Sequence, residues 1–167
     1  RLVVDSWRSN WKNLEMPFYF VQLSSLNRPS WTWFRDSQLR LMKSIPNTGM
    51  AVSSDQGDSL DVHPTHKQPV GERLGRWALN QTYGHAVTPS GPIYNNVVKE
   101  GNHLVVSFTY GDGLRTSDGK SPSCFEIAEE DGLFYPALVK IEGSKVRLSS
   151  PEVKAPRYVR YAWQPFT

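Results

Sequence analysis

Four side chains able to move a proton or hold a cation sit close together: Asp58, Asp61, His63 and His66 all fall inside Gly57-Asp-Ser-Leu-Asp-Val-His-Pro-Thr-His66. An imidazole beside a carboxylate is the pair used for general-base catalysis. The carboxylate fixes the ring tautomer and stabilises the imidazolium that forms when the ring takes a proton. Asp61, two residues before His63, can give that orientation, and Asp58 is a second source. The same spacing also suits a plainer loop histidine bonded to backbone. His63 and His66 could approach a metal together, but no cysteine or third ligand stands at a suitable distance along the chain, so no zinc site is expected.

A strand and a helix must present these groups. The apolar run Met50–Val52 reads as a short buried strand, with Gly49 at its start, and a polar Gly-containing loop follows. Val70, Leu74, Trp77 and Ala78 recur at i, i+4, i+7 and i+8 and form one helical stripe, with Glu72, Arg73 and Arg76 off it. Thr65 with Gln68 resembles a capping box, while Pro69 suits a first-turn position. The helix is expected to start within 65–69 and to end near Gly84 in a left-handed cap. A site where a strand hands over to a helix is where open α/β sheets gather their chemistry.

Upstream, residues 1–13 read as a helix whose Trp7 and Trp11, an i, i+4 pair, are expected in the core. Pro17 opens Phe18–Leu23, a run apolar on both faces that fits a buried parallel strand. Gln22 near its carboxyl end is an amide that either orients a substrate or bonds a neighbouring loop. The loop 24–33 leads into a helix over 32–44, with Phe34, Leu39 and Met42 on its apolar face and Pro46 beyond its end. Arg35 on this helix could grip a carboxylate as a planar fork, or stand solvated or salt-bridged. Helix, strand, helix, strand, helix is the order of a parallel sheet, and two strands fall short of a complete doubly wound domain.

After Gly84 the pattern changes. Residues 85–92 read as a linker. A hairpin over 93–110 turns at Glu100-Gly-Asn102, and further strands are expected at 125–128, 133–141, 145–149 and 158–163. Asp131-Gly132 and Glu142-Gly143 are hairpin signals. The expectation is an antiparallel, β-sandwich-like module over 87–167, following an α/β unit over 1–86.

The 167 residues are 38% hydrophobic, enough for a real core, and carry a net charge of +3. The basic residues are scattered, so a nucleic-acid partner is not expected. Cys124 is the single cysteine and permits no internal disulfide. No apolar run reaches membrane-spanning length and no signal peptide is present, so membrane insertion is not expected. Arg1-Leu-Val-Val4 reads as the middle of an element, which makes a piece of a longer protein the expectation.

A resemblance spans nearly the whole chain. Asp61-Val-His-Pro with Lys67-Gln68 and Val70-Gly71-x-Arg73-Leu74 resembles the last catalytic block of the sialate O-acetylesterases, in the SGNH hydrolase superfamily. Pro17–Leu23, Trp33 with Arg35 and Gln38, Gly49–Val52, Tyr83-Gly84, Ser90-Gly-Pro, Phe125–Ala128, Phe134–Ala137 and Val159–Trp163 are similar to further blocks of that family, in the same order. The resemblance implies part of a flavodoxin-like SGNH three-layer fold, and a cofactor-free serine esterase that removes acetyl groups from sialic acid or a related sugar. His63 would be its base and Asp61 the orienting group. Many relatives space the pair as Asp-x-x-His; Leu60 holds that place here, which keeps Asp58 or a backbone carbonyl open for the role. Gln22 and Arg35 are candidate substrate contacts.

The nucleophilic serine is expected in a Gly-Gln-Ser-Asn-like block that this chain lacks, which makes the amino-terminal half of the same protein a partner. Gly57-Asp-Ser-Leu60 spells a motif of related hydrolases, but it stands beside the histidine instead of far upstream and reads as coincidence. Secretion, a periplasmic place or, in a eukaryote, the lysosome goes with the family. An esterase for acetylated plant polysaccharide and a non-catalytic carbohydrate-binding fragment are the alternatives.

Overall fold

Two short strands, β1 (Phe18–Val21) and β2 (Thr48–Ala51), run in parallel in the computed structural model, which describes residues 1–166. Phe18 pairs with Thr48 and Val21 with Ala51. A parallel pair needs a crossover, supplied by α2 (Trp31–Ser44). Side chains alternate across the strands. Phe18 meets Trp7 of α1 (Leu2–Asn10) edge-on with ring centroids 6.2 Å apart, and Thr48 Oγ1 lies 2.7 Å from the carbonyl of Ile45 at the end of α2. One residue along, Tyr19 and Gly49 point the other way. The Tyr19 hydroxyl bonds Thr82 Oγ1 at 2.7 Å, and Gly49 lies under Trp77 of α3 (Gln68–Trp77). Thus α1 and α2 cover one face of the pair and α3 the other.

The helices differ from their sequence expectations in instructive ways. α1 stops at Asn10, and Lys12 takes a left-handed φ of 54°. Trp7 and Trp11, expected in the core, are 53% and 71% exposed; Val4 and Arg8 face inward instead. The reason is polar. Arg8 donates to the carbonyls of Met16 at 3.0 Å and Pro46 at 2.7 Å, which draws its side chain inward. On α2 the buried face is Trp31, Thr32, Arg35 and Met42, so Phe34, expected inward, is exposed. Trp31 takes the inner place because its indole N–H reaches the carbonyl of Ser24 at 2.8 Å.

α3 follows its stripe: Trp77 is buried, and Val70, Leu74 and Ala78 are half-buried. The expected capping box does not form. Lys67 stands at the N-cap, Gln68 donates to Glu72 Oε1 at 2.9 Å, and Pro69 sits in the first turn, where no N–H is needed. A π-helical turn, Ala78–Thr82, extends the helix, and Gly84 with φ +69° turns the chain away.

The chain divides into two units. The first is Arg1–Ser90 with the segment from Gln164, and the second is Gly91–Trp163. The second unit is all antiparallel. β3 (Ile93–Glu100), β4 (His103–Thr109), β8 (Lys145–Ser149) and β7 (Leu138–Glu142) form one sheet in that order. β6 (Phe134–Pro136), β5 (Phe125–Ala128) and β9 (Tyr158–Tyr161) form another. Leu104, Val106, Val146 and Leu148 from the first sheet share a core with Phe125 and Ile127 from the second and with Val153, which makes a sandwich. Leu104 pairs with Leu148 and Val106 with Val146, so apolar rows run straight across the larger sheet.

The single strand expected over 133–141 is two. The chain leaves one sheet at Pro136, which has no N–H for a ladder. It enters the other at Leu138, and the Ala137 N–H between them donates to the Phe125 carbonyl at 2.9 Å. Among the described residues no helix is long and apolar enough to cross a membrane.

Candidate active site

The loop that leaves β2 is fastened at its root. Ser53, 2% exposed, donates from Oγ to the carbonyl of Gln22 at 2.7 Å, which ties the ends of β1 and β2 together. Ser54–Gln56 make a 3₁₀ turn. Gly57 then passes so near the backbone of Ser25 that no Cβ would fit, and Asn27 N–H donates to the Ser59 carbonyl at 3.0 Å. The neighbouring 24–27 loop therefore serves as the floor for the histidine loop.

Within the loop each aspartate has its own task. Asp58 Oδ1 accepts the backbone N–H groups of Leu60 at 2.7 Å and Asp61 at 3.2 Å, an Asx-type turn that reverses the chain. Asp61 Oδ1 accepts the backbone N–H of His63 at 2.8 Å and stands 3.0 Å from His63 Nδ1. Of the two aspartates, Asp61 is the one in contact with the His63 ring. A carboxylate only accepts, so Nδ1 carries the proton in this pair, and in the neutral ring Nε2 is the nitrogen with the lone pair. The His63 side chain is 83% exposed, and a cavity of about 210 Å³ is lined by Asp55, Asp58, Asp61, His63 and His66. The His63 backbone N–H, and after it the ring, hold the Asp61 carboxyl below the usual aspartate range, so it stays ionised beside the imidazole.

Gln22 and Arg35 lie deeper. Gln22 Nε2 donates to the Arg35 carbonyl at 3.0 Å. Arg35 is 7% exposed; its guanidinium donates to Ser25 Oγ at 3.5 Å and to the Gln164 carbonyl, and burial lowers its pKa from the ordinary arginine value. Trp33 and Phe34, at the start of the same helix, are 65% and 55% exposed. Among the described residues no serine hydroxyl bonds His63, Ser59 included, and no group of three or more His, Cys, Asp or Glu could hold a metal ion.

One contact had no signal in the sequence. Arg73 of α3 forks onto Asp55, Nη1 and Nη2 each 2.6 Å from a separate carboxylate oxygen, and Nη1 also reaches the Val52 carbonyl at 2.7 Å. Arg73 lies off the apolar stripe, and nothing local marks its partner 18 residues back. The fork holds the Asp55 carboxyl below its ordinary range and raises the Arg73 guanidinium.

The chain is similar to a carbohydrate acetylesterase. A crystal structure of a novel carbohydrate acetylesterase from Xanthomonas citri matches with a TM-score of 0.92 at 33% identity, over 97% of this chain and 39% of that one. The chain therefore spans about two fifths of that enzyme's length. No family model matches the chain, and neither does any curated protein. The match runs through both the α/β unit and the antiparallel unit, so the mixed architecture is shared with a carbohydrate esterase structure.

Proposed function

We propose that this chain is the part of a serine carbohydrate acetylesterase that carries the catalytic base and its orienting carboxylate. The observation that supports this most is the Asp61–His63 pair. Asp61 occupies Nδ1, and Nε2 is left with its lone pair on an exposed ring that lines a cavity. The likeness to a carbohydrate acetylesterase supports the same reading.

In this reading the nucleophilic serine comes from the amino-terminal half of the protein. His63 Nε2 takes the proton from its Oγ as Oγ attacks the acetyl carbonyl. The tetrahedral adduct expels the sugar oxygen, which takes the proton back from the imidazolium, and an acetyl-serine remains. Water then attacks the acetyl carbon while Nε2 removes its proton. Acetate leaves, and the serine recovers its hydrogen from the ring. Asp61 stays ionised throughout and stabilises the charged imidazole in both halves. Gln22 and Arg35 were candidates for substrate contact. In this reading they keep that candidacy, with Gln22 bonded to the Arg35 carbonyl and Arg35 to Ser25 Oγ.

The finer assignments follow the resemblance. The sheet is proposed to be part of a flavodoxin-like, three-layer SGNH fold, completed by strands from the amino-terminal half. A two-strand parallel sheet, the exposed Leu2, Val3 and Trp7 on α1 and the exposed Trp11 just after it support such a missing neighbour. The substrate is proposed to be an O-acetylated sialic acid or a related sugar. The test is acetate release by the protein together with its amino-terminal half, offered O-acetyl sialic acid and acetylated xylan. Faster turnover of the first supports the sialate assignment. Faster turnover of xylan moves the substrate to plant polysaccharide, and hydrolysis of neither, nor of p-nitrophenyl acetate, removes the esterase reading.

A further inference from the structure

The turn that carries His63 is well bonded to itself, through Asp58 and Asp61, but these bonds do not say where the turn stands. Its place is set by ties to the rest of the first unit. The loop leaves the sheet at Val52 and re-enters regular structure at Gln68, the first residue of α3. Arg73, in the second turn of that helix, reaches back across this neck. One guanidinium grips the Val52 carbonyl at the exit from β2 and both carboxylate oxygens of Asp55 in the first turn of the loop. Residues 57–66 are thereby closed into a loop of fixed base, which restrains them relative to an open loop of that length.

We propose that Arg73, acting through Asp55, is the positioning residue that sets where His63 is presented to the reacting hydroxyl. The role rests on the esterase reading above. Arg73 touches neither His63 nor the acetyl group. It fixes the loop's neck, and the Gly57–Ser25 approach and the Asn27–Ser59 bond then fix its far side. The geometry needs arginine: its planar fork makes the paired bonds to one carboxylate and still has an N–H for the carbonyl, whereas a lysine offers one compact ammonium. The demand for accuracy is chemical, because a shift of about 1 Å in a catalytic group costs on the order of 10²-fold in rate.

The test has two arms. In this chain, amide hydrogen exchange over residues 57–66 is compared between wild type, Arg73→Met, Arg73→Lys and Asp55→Asn. In the protein together with its amino-terminal half, kcat and KM for p-nitrophenyl acetate are measured for the same variants, for Asp55→Asn/Arg73→Met and for His63→Ala. The expected result for Arg73→Met is exchange in the loop faster by about 10-fold with the sandwich amides unchanged, and kcat lower by about 10- to 100-fold with KM nearly constant. Arg73→Lys recovers part of kcat, and the double variant is no worse than Arg73→Met, because the two side chains act as one unit. Asp55→Asn leaves α3 intact and reads the same coupling if Arg73→Met fails to fold. Loop exchange unchanged in both variants, or a loosened loop with wild-type kcat, overturns the proposal. His63→Ala at the wild-type rate overturns the esterase reading itself and with it the catalytic side of this one, whatever the Arg73 variants do.

Discussion

Gly49 of β2 lies directly against the indole of Trp77: a Cβ at position 49 would come within 2.5 Å of Cδ2 and 2.7 Å of Cγ. The indole N–H donates to the Met50 carbonyl at 3.0 Å, so the ring is held flat over the strand by a bond as well as by contact. The absence of a side chain at Gly49 lets α3 approach the sheet, and α3 in turn carries Arg73. Gly49→Ala must push the ring off the strand and break that bond. The expected cost is about 1–3 kcal/mol, read as a lower midpoint in urea with a red shift of tryptophan emission before global unfolding. A midpoint equal to wild type would show that the contact is slack.

The Asp55–Arg73 fork gives stability a pH dependence of definite sign. The folded carboxyl sits below its ordinary value of 3.8 because Arg73 donates to it. A group whose folded pKa is depressed stabilises the fold above its unfolded pKa and loses that contribution as pH falls through the folded value. The gap in urea midpoint between wild type and Asp55→Asn is therefore expected to be full at pH 7. It should start to close near 3.8 and vanish only once the pH has fallen below the depressed folded value. A gap that stays constant from pH 7 to pH 3 would mean that Asp55 titrates alike in both states.

Asp58 and Asp61 are separable by substitution. Asp58 accepts two backbone N–H groups, which an asparagine oxygen also accepts, so Asp58→Asn is expected to stay close to wild-type activity. In the proposed mechanism Asp61→Asn loses the negative charge that would stabilise the imidazolium and the carboxylate that would fix the Nδ1–H tautomer. Its kcat is expected to fall by about 10²- to 10⁴-fold with KM little changed. The reverse ranking in steady-state kinetics would hand the orienting role to Asp58.

What could be read in the sequence was what is local or periodic. The parallel pair follows from the alternation of helices and strands, and the inward face of α3 from the spacing of Val70, Leu74 and Trp77. The Asp-x-His spacing made a contact of Asp61 with His63 one option beside Asp58 or a backbone carbonyl, and the structure shows the Asp61 contact. What could not be read depended on groups far away in the chain. Periodicity placed Trp7 and Trp11 on one face of α1, but it could not show that Arg8 would be drawn inward by carbonyls at Met16 and Pro46. The same physics buries Arg35, whose guanidinium meets the Gln164 carbonyl 129 residues later. The split of the expected 133–141 strand turns on one proline at a sheet-to-sheet crossing. The Arg73–Asp55 fork joins two charges that are unremarkable in their own surroundings.

The most direct measurement is acetate release from an O-acetylated sugar by the protein together with its amino-terminal half, compared with its His63→Ala variant under identical conditions. With the Nε2 lone pair of His63 as the base, the variant is expected to lose activity on the order of 10³-fold or more while its circular dichroism and urea midpoint stay at wild type. Acetate release by the folded variant at the wild-type rate would contradict the assignment of the base.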